Sequence, residues 1–178
     1  AITVRDQASR RLLKDIGVEQ EVHLTADPVF SLRSVSEERI QGILNQEEIE
    51  IDAPVIGVSP RDWSDNSYLP ELAKLLDQLQ KELQAEILFI PLQYPADKEI
   101  SLQVKELMVG NAEVITGNYK SRELLGLIGV VDLLVGVRLH SLIFATVMGV
   151  LPAGISYDPK VDNFLERVEL APVANVNS

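Results

Sequence analysis

Apolar residues along the chain fall into two alternating patterns. Short apolar runs at residues 55–58, 87–90, 112–115, 132–135 and 151–155 lie between longer stretches whose apolar positions recur three or four apart. The runs read as buried strands and the longer stretches as amphipathic helices. Residues 68–84 show the helical period clearly, with Leu72, Leu75, Leu76, Leu79 and Leu83 on one stripe. Helices over 98–109 and 122–130 follow the same pattern. Asp158 as N-cap, with Pro159 in the first helical position, starts a last helix to about residue 167. Strands alternating with helices predict an α/β fold: a parallel sheet with helices on both faces, joined by right-handed crossovers.

One stretch departs from the amphipathic rule. Residues 132–150, DLLVGVRLHSLIFATVMGV, are the most apolar part of the chain and still contain Arg138 and His140. They read as a buried strand, a sharp turn at Gly136 and a helix over 139–150 that is apolar on nearly every side, and so lies in the interior. A buried cation without a partner costs several kcal/mol or more. The expected partner of these two side chains is an anionic substrate, because strand-to-helix junctions are where open α/β sheets hold ligands.

The first fifty residues follow a different plan. Residues 2–4 and 21–24 read as strands, with a helix over 5–17 between them that stops at Gly17, and TADPVF at 25–30 reads as a turn. This unit is too short to bury its own faces. Residues 1–33 are therefore expected to be the remnant of a preceding domain of a longer protein. Residues 34–50 are expected to form a linking helix opened by a capping box of Ser34 and Glu37. A C-terminal domain is expected over 51–170, and a loose tail without periodicity over 171–178.

Composition narrows the function. With 27 acidic against 16 basic residues the net charge is −11, which disfavours nucleic acid and anionic membranes as partners. The chain has no cysteine, which excludes disulfides, thiolate metal sites and a cysteine nucleophile. No apolar run is long enough to span a bilayer and no leader peptide is apparent, so a cytoplasmic location is expected, at most peripheral to the inner face of the membrane. Motifs for dinucleotides, nucleoside triphosphates, zinc proteolysis and serine hydrolysis are absent.

What remains is a set of polar residues that a parallel sheet would bring to one rim. They are Ser59, Arg61 and Asp62; Gln93, Tyr94 and Asp97; Asn118 and Lys120; Arg138 and His140; and Ser156, Tyr157 and Lys160. Two arginines, a lysine and a histidine suit a small anion carrying carboxylate and phosphate, since guanidinium grips either group with a two-pronged fork. A histidine in the first helical turn is biased toward its neutral form and can exchange protons near neutral pH. Each residue also has a plainer explanation. His140 would be a packed imidazole, Arg138 would pair with Asp132 or Asp158, Arg61 and Lys160 would be surface residues, and Ser156 and Asp158 would be turn and cap residues.

Several blocks resemble the polysaccharide pyruvyl transferases, especially their bacterial cell-wall branch. They are ITVRDQASRRLLKDIG at 2–17, TADPVF, IGVSPRDW at 56–63, FIPLQYPAD at 89–97, VGVRLHSLIFA at 135–145 and GISYDPKVDNFL at 154–165. Ser141 stands where alanine is expected. The resemblance implies a GT-B-like enzyme of two Rossmann-like domains, of which this chain would hold the C-terminal, donor-binding one at 51–170 and, at 1–33, a remnant of the acceptor-side one. Such an enzyme moves the enolpyruvyl unit of phosphoenolpyruvate onto a cell-wall or exopolysaccharide sugar as a cyclic ketal. No metal or organic cofactor is implied; the partners are phosphoenolpyruvate and a saccharide acceptor. By motif, Arg138 and His140 fall in the donor site and Arg61 is a second arginine. His140 is the expected acid/base, with Arg138 and Arg61 on the donor's charges and Lys160, Ser156 and Gln93 as further contacts. A nucleotide-sugar glycosyltransferase or epimerase half-domain, or a non-catalytic docking module, is the alternative.

Overall fold

The computed structural model describes residues 1–176. The chain opens with β1 (Ile2–Val4), α1 (Gln7–Asp15) and β2 (Val22–Leu24), followed by a 3₁₀ turn at Pro28–Ser31 and helix α2 (Glu37–Gln46). Then come β3 (Val55–Ser59), α3 (Leu69–Leu83), β4 (Glu86–Phe89), α4 (Ala96–Leu107), β5 (Glu113–Val114) and α5 (Ser121–Ile128). The chain continues through β6 (Leu133–Gly136), α6 (Leu139–Met148), β7 (Leu151–Ser156), α7 (Pro159–Arg167) and β8 (Ala174–Asn175).

Six of these strands form one parallel sheet in the order β5-β4-β3-β6-β7-β8. Counted from β3, that is the order 3-2-1-4-5-6 of a Rossmann-like sheet, whose direction of winding reverses between β3 and β6. Helices α3 and α4 pack with Ile56 and Val58 of β3 on one side, while α2 and α5 pack with Val55 and Leu134 on the other.

Helix α6 is interior, as its composition predicts. Leu142 and Ile143 join one apolar cluster, Phe144 and Ala145 the other. It approaches β6 so closely that a Cβ on Gly136 would stand 2.6 Å from Ser141 Oγ and 2.8 Å from Leu142 Cδ2. The helix ends at Gly149, whose φ of +75° closes it in the left-handed conformation that glycine adopts without steric cost.

Three expectations need correction. Ser36, not Ser34, caps α2, accepting from Arg39 N at 3.3 Å, while Ser34 Oγ donates to Val35 O. Helix α2 does more than link, since Ile40, Ile43 and Leu44 are buried against α5 and the sheet. The tail is not loose throughout: Ala174 and Asn175 pair with Ile155 and Ser156, and Val176 is buried. An edge strand of two residues is too short to show a period, so the sequence pattern passed over it. Residues 177–178 of that tail lie outside the described residues.

The N-terminal β1-α1-β2 unit has its own two-stranded parallel sheet, and α1 buries no residue, with Leu12 and Ile16 at 60% and 67% exposure. The unit and the turn after it are fastened to the larger domain by polar contacts and by apolar residues of that turn, Val29 and Leu32. The Arg167 guanidinium donates to the Arg5 carbonyl, and Val29 packs against both apolar clusters.

Candidate functional site

In an open parallel sheet the crevice for ligands lies at the carboxyl ends of the strands, where the winding reverses. Here that is the gap between the loops after β3 and β6. Arg138 is the N-cap of α6, and its carbonyl accepts from Ser141 N at 3.0 Å and from Ser141 Oγ at 2.7 Å. The serine found in place of an expected alanine thus ties down the helix start.

The Arg138 guanidinium is not a free cation. It donates from Nε and Nη2 to the two carboxylate oxygens of Asp97, and from Nη2 to Gln93 Oε1 at 2.7 Å. Asp97 lies in the first turn of α4, is 0% exposed and also accepts from Gln93 N at 2.9 Å. One expectation is corrected, the identity of the protein group that pairs with Arg138. The charge of Arg138 is answered from within the protein, and its partner is neither Asp132, which accepts from Val55 N, nor Asp158, which caps α7. Gln93 is part of the same clamp.

His140, the second residue of α6, is solvent-exposed and lines a cavity of about 510 Å³ together with Gln93, Ser121, Arg138, Leu92 and Phe144. Partial loss of water pushes its pKa below the ordinary histidine value, and Arg5, Arg138 and Lys160 push the same way, while Asp27 opposes them. The imidazole is neutral at pH 7 and fit to accept a proton.

A second cavity, of about 290 Å³, lies on the other side of the turn formed by residues 26–32. Leu139 and Ile143 line it, and Arg5, Lys160 and Arg167 face it with the carboxylates Asp6 and Asp27. The lining carries three cations and two anions, and Arg5 and Lys160 are ion-paired with Asp27 and Asp158. Arg5 Nη1 donates to Asp27 Oδ2 at 2.8 Å. Burial alone would raise the Asp27 pKa, but the hydrogen bonds from Arg5 and Val29 N outweigh it and hold the carboxyl below its ordinary value.

Arg61 sits apart from Arg138 and lines neither cavity. Its guanidinium carbon lies 4.4 Å from the Tyr157 ring centroid and 5.1 Å from that of Trp63, and the two rings are 4.6 Å apart at 59°. Its backbone is held by Tyr68, whose hydroxyl accepts from Arg61 N at 3.1 Å and donates to Arg61 O at 2.5 Å. Burial pushes the Tyr68 pKa up to about 12, so the hydroxyl keeps its proton. Lys160 Nζ lies 4.8 Å from the same Tyr157 ring, on the edge of the cationic cavity, and 3.4 Å from Asp158 Oδ2. Ser156 is 1% exposed, lines neither cavity, and its Oγ has no hydrogen-bond partner; Ser59 Oγ at the end of β3 is in the same state.

The structure thus gathers His140, Arg138 and Gln93 at one cavity, places Lys160 at the next, and joins Arg61 to Lys160 only through Tyr157. Sequence reasoning passed over Arg5 and Asp27 because they stood in a unit read as belonging elsewhere. A signal was present: both follow the carboxyl ends of parallel strands, β1 and β2, so the rim rule applies to them too. Among the described residues no cluster of His, Asp and Glu could hold a metal ion, and no helix is long and apolar enough to cross a membrane.

A six-stranded parallel sheet of this order, with polar groups gathered at its switch point, defines this as a Rossmann-like α/β domain. Residues 1–159 of 178 match the polysaccharide pyruvyl transferase family, and the chain belongs to that family. Its fold is also found in the glycosyl transferase family 9 protein of Veillonella parvula DSM 2008, at TM-score 0.54 and 17% identity over 86% of this chain and 44% of that one. A glycosyltransferase of Rickettsia africae ESF-5 matches at TM-score 0.57 and 13% identity, over 94% of this chain and 52% of that one. The chain thus spans about half the length of these solved glycosyltransferases. No curated protein matches it.

Proposed function

We propose that the chain is the donor-binding part of an enzyme that transfers the enolpyruvyl unit of phosphoenolpyruvate to a saccharide of the cell wall or of an exopolysaccharide. The observation that carries this reading is the grouping of the cationic side chains of Arg5, Lys160 and Arg167 at one cavity, against the helix turn that carries His140. Ammonium and guanidinium groups hold a carboxylate and a phosphate with charge-assisted bonds and stabilise the phosphate as it leaves. In the reaction the enol CH₂ carbon gains a proton, a sugar hydroxyl adds to the neighbouring carbon, and phosphate departs. A second hydroxyl then closes the ketal, so that phosphoenolpyruvate and a diol give ketal and inorganic phosphate. His140 accepts the proton of the attacking hydroxyl, help that is typically worth ~10² to 10⁴ in rate. Arg138, clamped by Asp97, fixes the start of α6 and so the place of His140. A cytoplasmic setting supplies the donor.

Titration calorimetry tests the donor. Phosphoenolpyruvate should bind the chain more tightly than UDP does, and Lys160→Ala should weaken it by ~10-fold or more, the ~1.5 to 3 kcal/mol of a hydrogen bond to a charged group. Tighter UDP binding would instead support a nucleotide-sugar glycosyltransferase, a reading that the fold of the solved neighbours keeps in play.

A further inference from the structure

Helix α7 lines the cationic cavity with one face, which carries Lys160, Asn163, Phe164 and Arg167. At 1.5 Å per residue the two cations are rooted about 10 Å apart along the helix axis, with Asn163 and Phe164 between them. Two other elements complete the apolar part of the lining. Leu139 and Ile143 lie one turn apart on α6 and are buried, and Phe30 comes from the 3₁₀ turn after β2. We propose that Phe30 and Phe164 are specificity-determining residues for the donor. With Leu139 and Ile143 they receive its terminal carbon, so the site takes a phosphorylated three-carbon acid that ends in bare hydrocarbon and rejects one with a hydroxyl there. This rests on the reading of the cationic cavity as the donor site.

Size is the first argument. At about 290 Å³ the cavity stands at the lower end of small-molecule sites, ~300 to 1,000 Å³, so its ligand is small and brings little water with it. Polarity is the second. A cation toward each end of the α7 face suits an acid with a carboxylate and a phosphate. Asn163, the one uncharged polar side chain of the lining, lies one turn from Lys160 and serves that anionic end. The phenyl and aliphatic groups offer a hydroxyl neither donor nor acceptor, so a hydroxyl placed among them gives up its water without return. A methylene or methyl group in the same place gains by leaving water. Exposure is the third. Phe30 is 43% exposed, so contact with a ligand's hydrocarbon removes apolar surface of both from water. An apolar pocket discriminates against an added hydroxyl by roughly 10²-fold at most, which sets the scale of the effect.

The test compares three acids with the same carboxylate and phosphate by titration calorimetry on the chain. They are phosphoenolpyruvate, 2-phospholactate, which ends in a methyl group, and 2-phosphoglycerate, which ends in a hydroxymethyl group. The first two should bind within about threefold of each other, and 2-phosphoglycerate ~10- to 100-fold more weakly. Phe30→Asn and Phe164→Asn, which offer the hydroxyl a partner, should shrink that gap to about threefold or less, while Phe30→Leu and Phe164→Leu keep it. Phe30 stands half-exposed on a turn, so its variants carry the test if Phe164→Asn does not fold. Binding of 2-phosphoglycerate as tight as that of phosphoenolpyruvate, a gap unchanged in Phe30→Asn, or an equal loss of all three acids in that variant would each overturn the proposal and leave the donor reading standing. Failure of phosphoenolpyruvate to bind the parent chain would overturn the donor reading and this proposal with it.

Discussion

Replacing Asp97 with alanine is the sharpest probe of how this site is built. The side chain is completely buried and accepts three hydrogen bonds, two from the Arg138 guanidinium and one from Gln93 N. Breaking a buried ion pair by removing one partner typically costs ~3 to 5 kcal/mol. Arg138 is 19% exposed, so its freed charge can regain some water, which brings the expected loss for the pair to about 2 to 3 kcal/mol. The Gln93 N–H, left without its acceptor, adds about 1 kcal/mol. The sum is ~3 to 4 kcal/mol, and with a urea m-value of about 2 kcal/mol/M the unfolding midpoint should fall by ~1.5 to 2 M. Arg138→Met should be similarly costly because it strands the carboxylate. The double variant should regain much of the loss, with a coupling energy of ~2 kcal/mol or more. If Asp97→Ala unfolds within ~0.5 kcal/mol of the parent, or the two substitutions simply add, the clamp is not what holds Arg138, and its charge is available to a ligand after all.

Three further outcomes follow from the same geometry. Asp27 is the anion that raises the His140 pKa, against burial and three cations that lower it. Asp27→Asn should therefore lower that pKa further and move the acid limb of kcat/KM, already below the ordinary histidine value of 6.5, to still lower pH. A limb that moves up or stays put in the pH–rate profile of the transferase would remove His140 as the base. Tyr157→Leu should weaken phosphoenolpyruvate binding by calorimetry while Tyr157→Phe preserves it, because the ring face that carries Arg61 and Lys160, and not the hydroxyl, sets their positions; equal losses in both would refute this. Gly136→Ala should destabilise by ~1 to 3 kcal/mol in a urea melt, since its methyl would overlap the buried side chains of Ser141 and Leu142.

Much of this protein is determined locally. The strand runs, the amphipathic stripe of α3, the Asp158-Pro159 start of α7 and the all-round apolarity of α6 each follow from side-chain period and capping chemistry, which act within a few residues of the sequence. Parallel pairing and the gathering of polar loops on one rim follow as well, because a strand-helix-strand chain has few ways to close. Tertiary structure decided which charge meets which. Arg138 and Asp97 lie 41 positions apart, and Arg5 and Lys160 belong to units that the sequence separates, so no local pattern could pair them. The reason is physical: a long side chain takes its partner from whatever crosses the switch point within a few ångströms, and that depends on strand order and helix placement together. The sequence pointed to an arginine and a histidine waiting for an anion. The fold gave the arginine an internal carboxylate, left the histidine facing a cavity, and brought the unpredicted Arg5 to stand with Lys160.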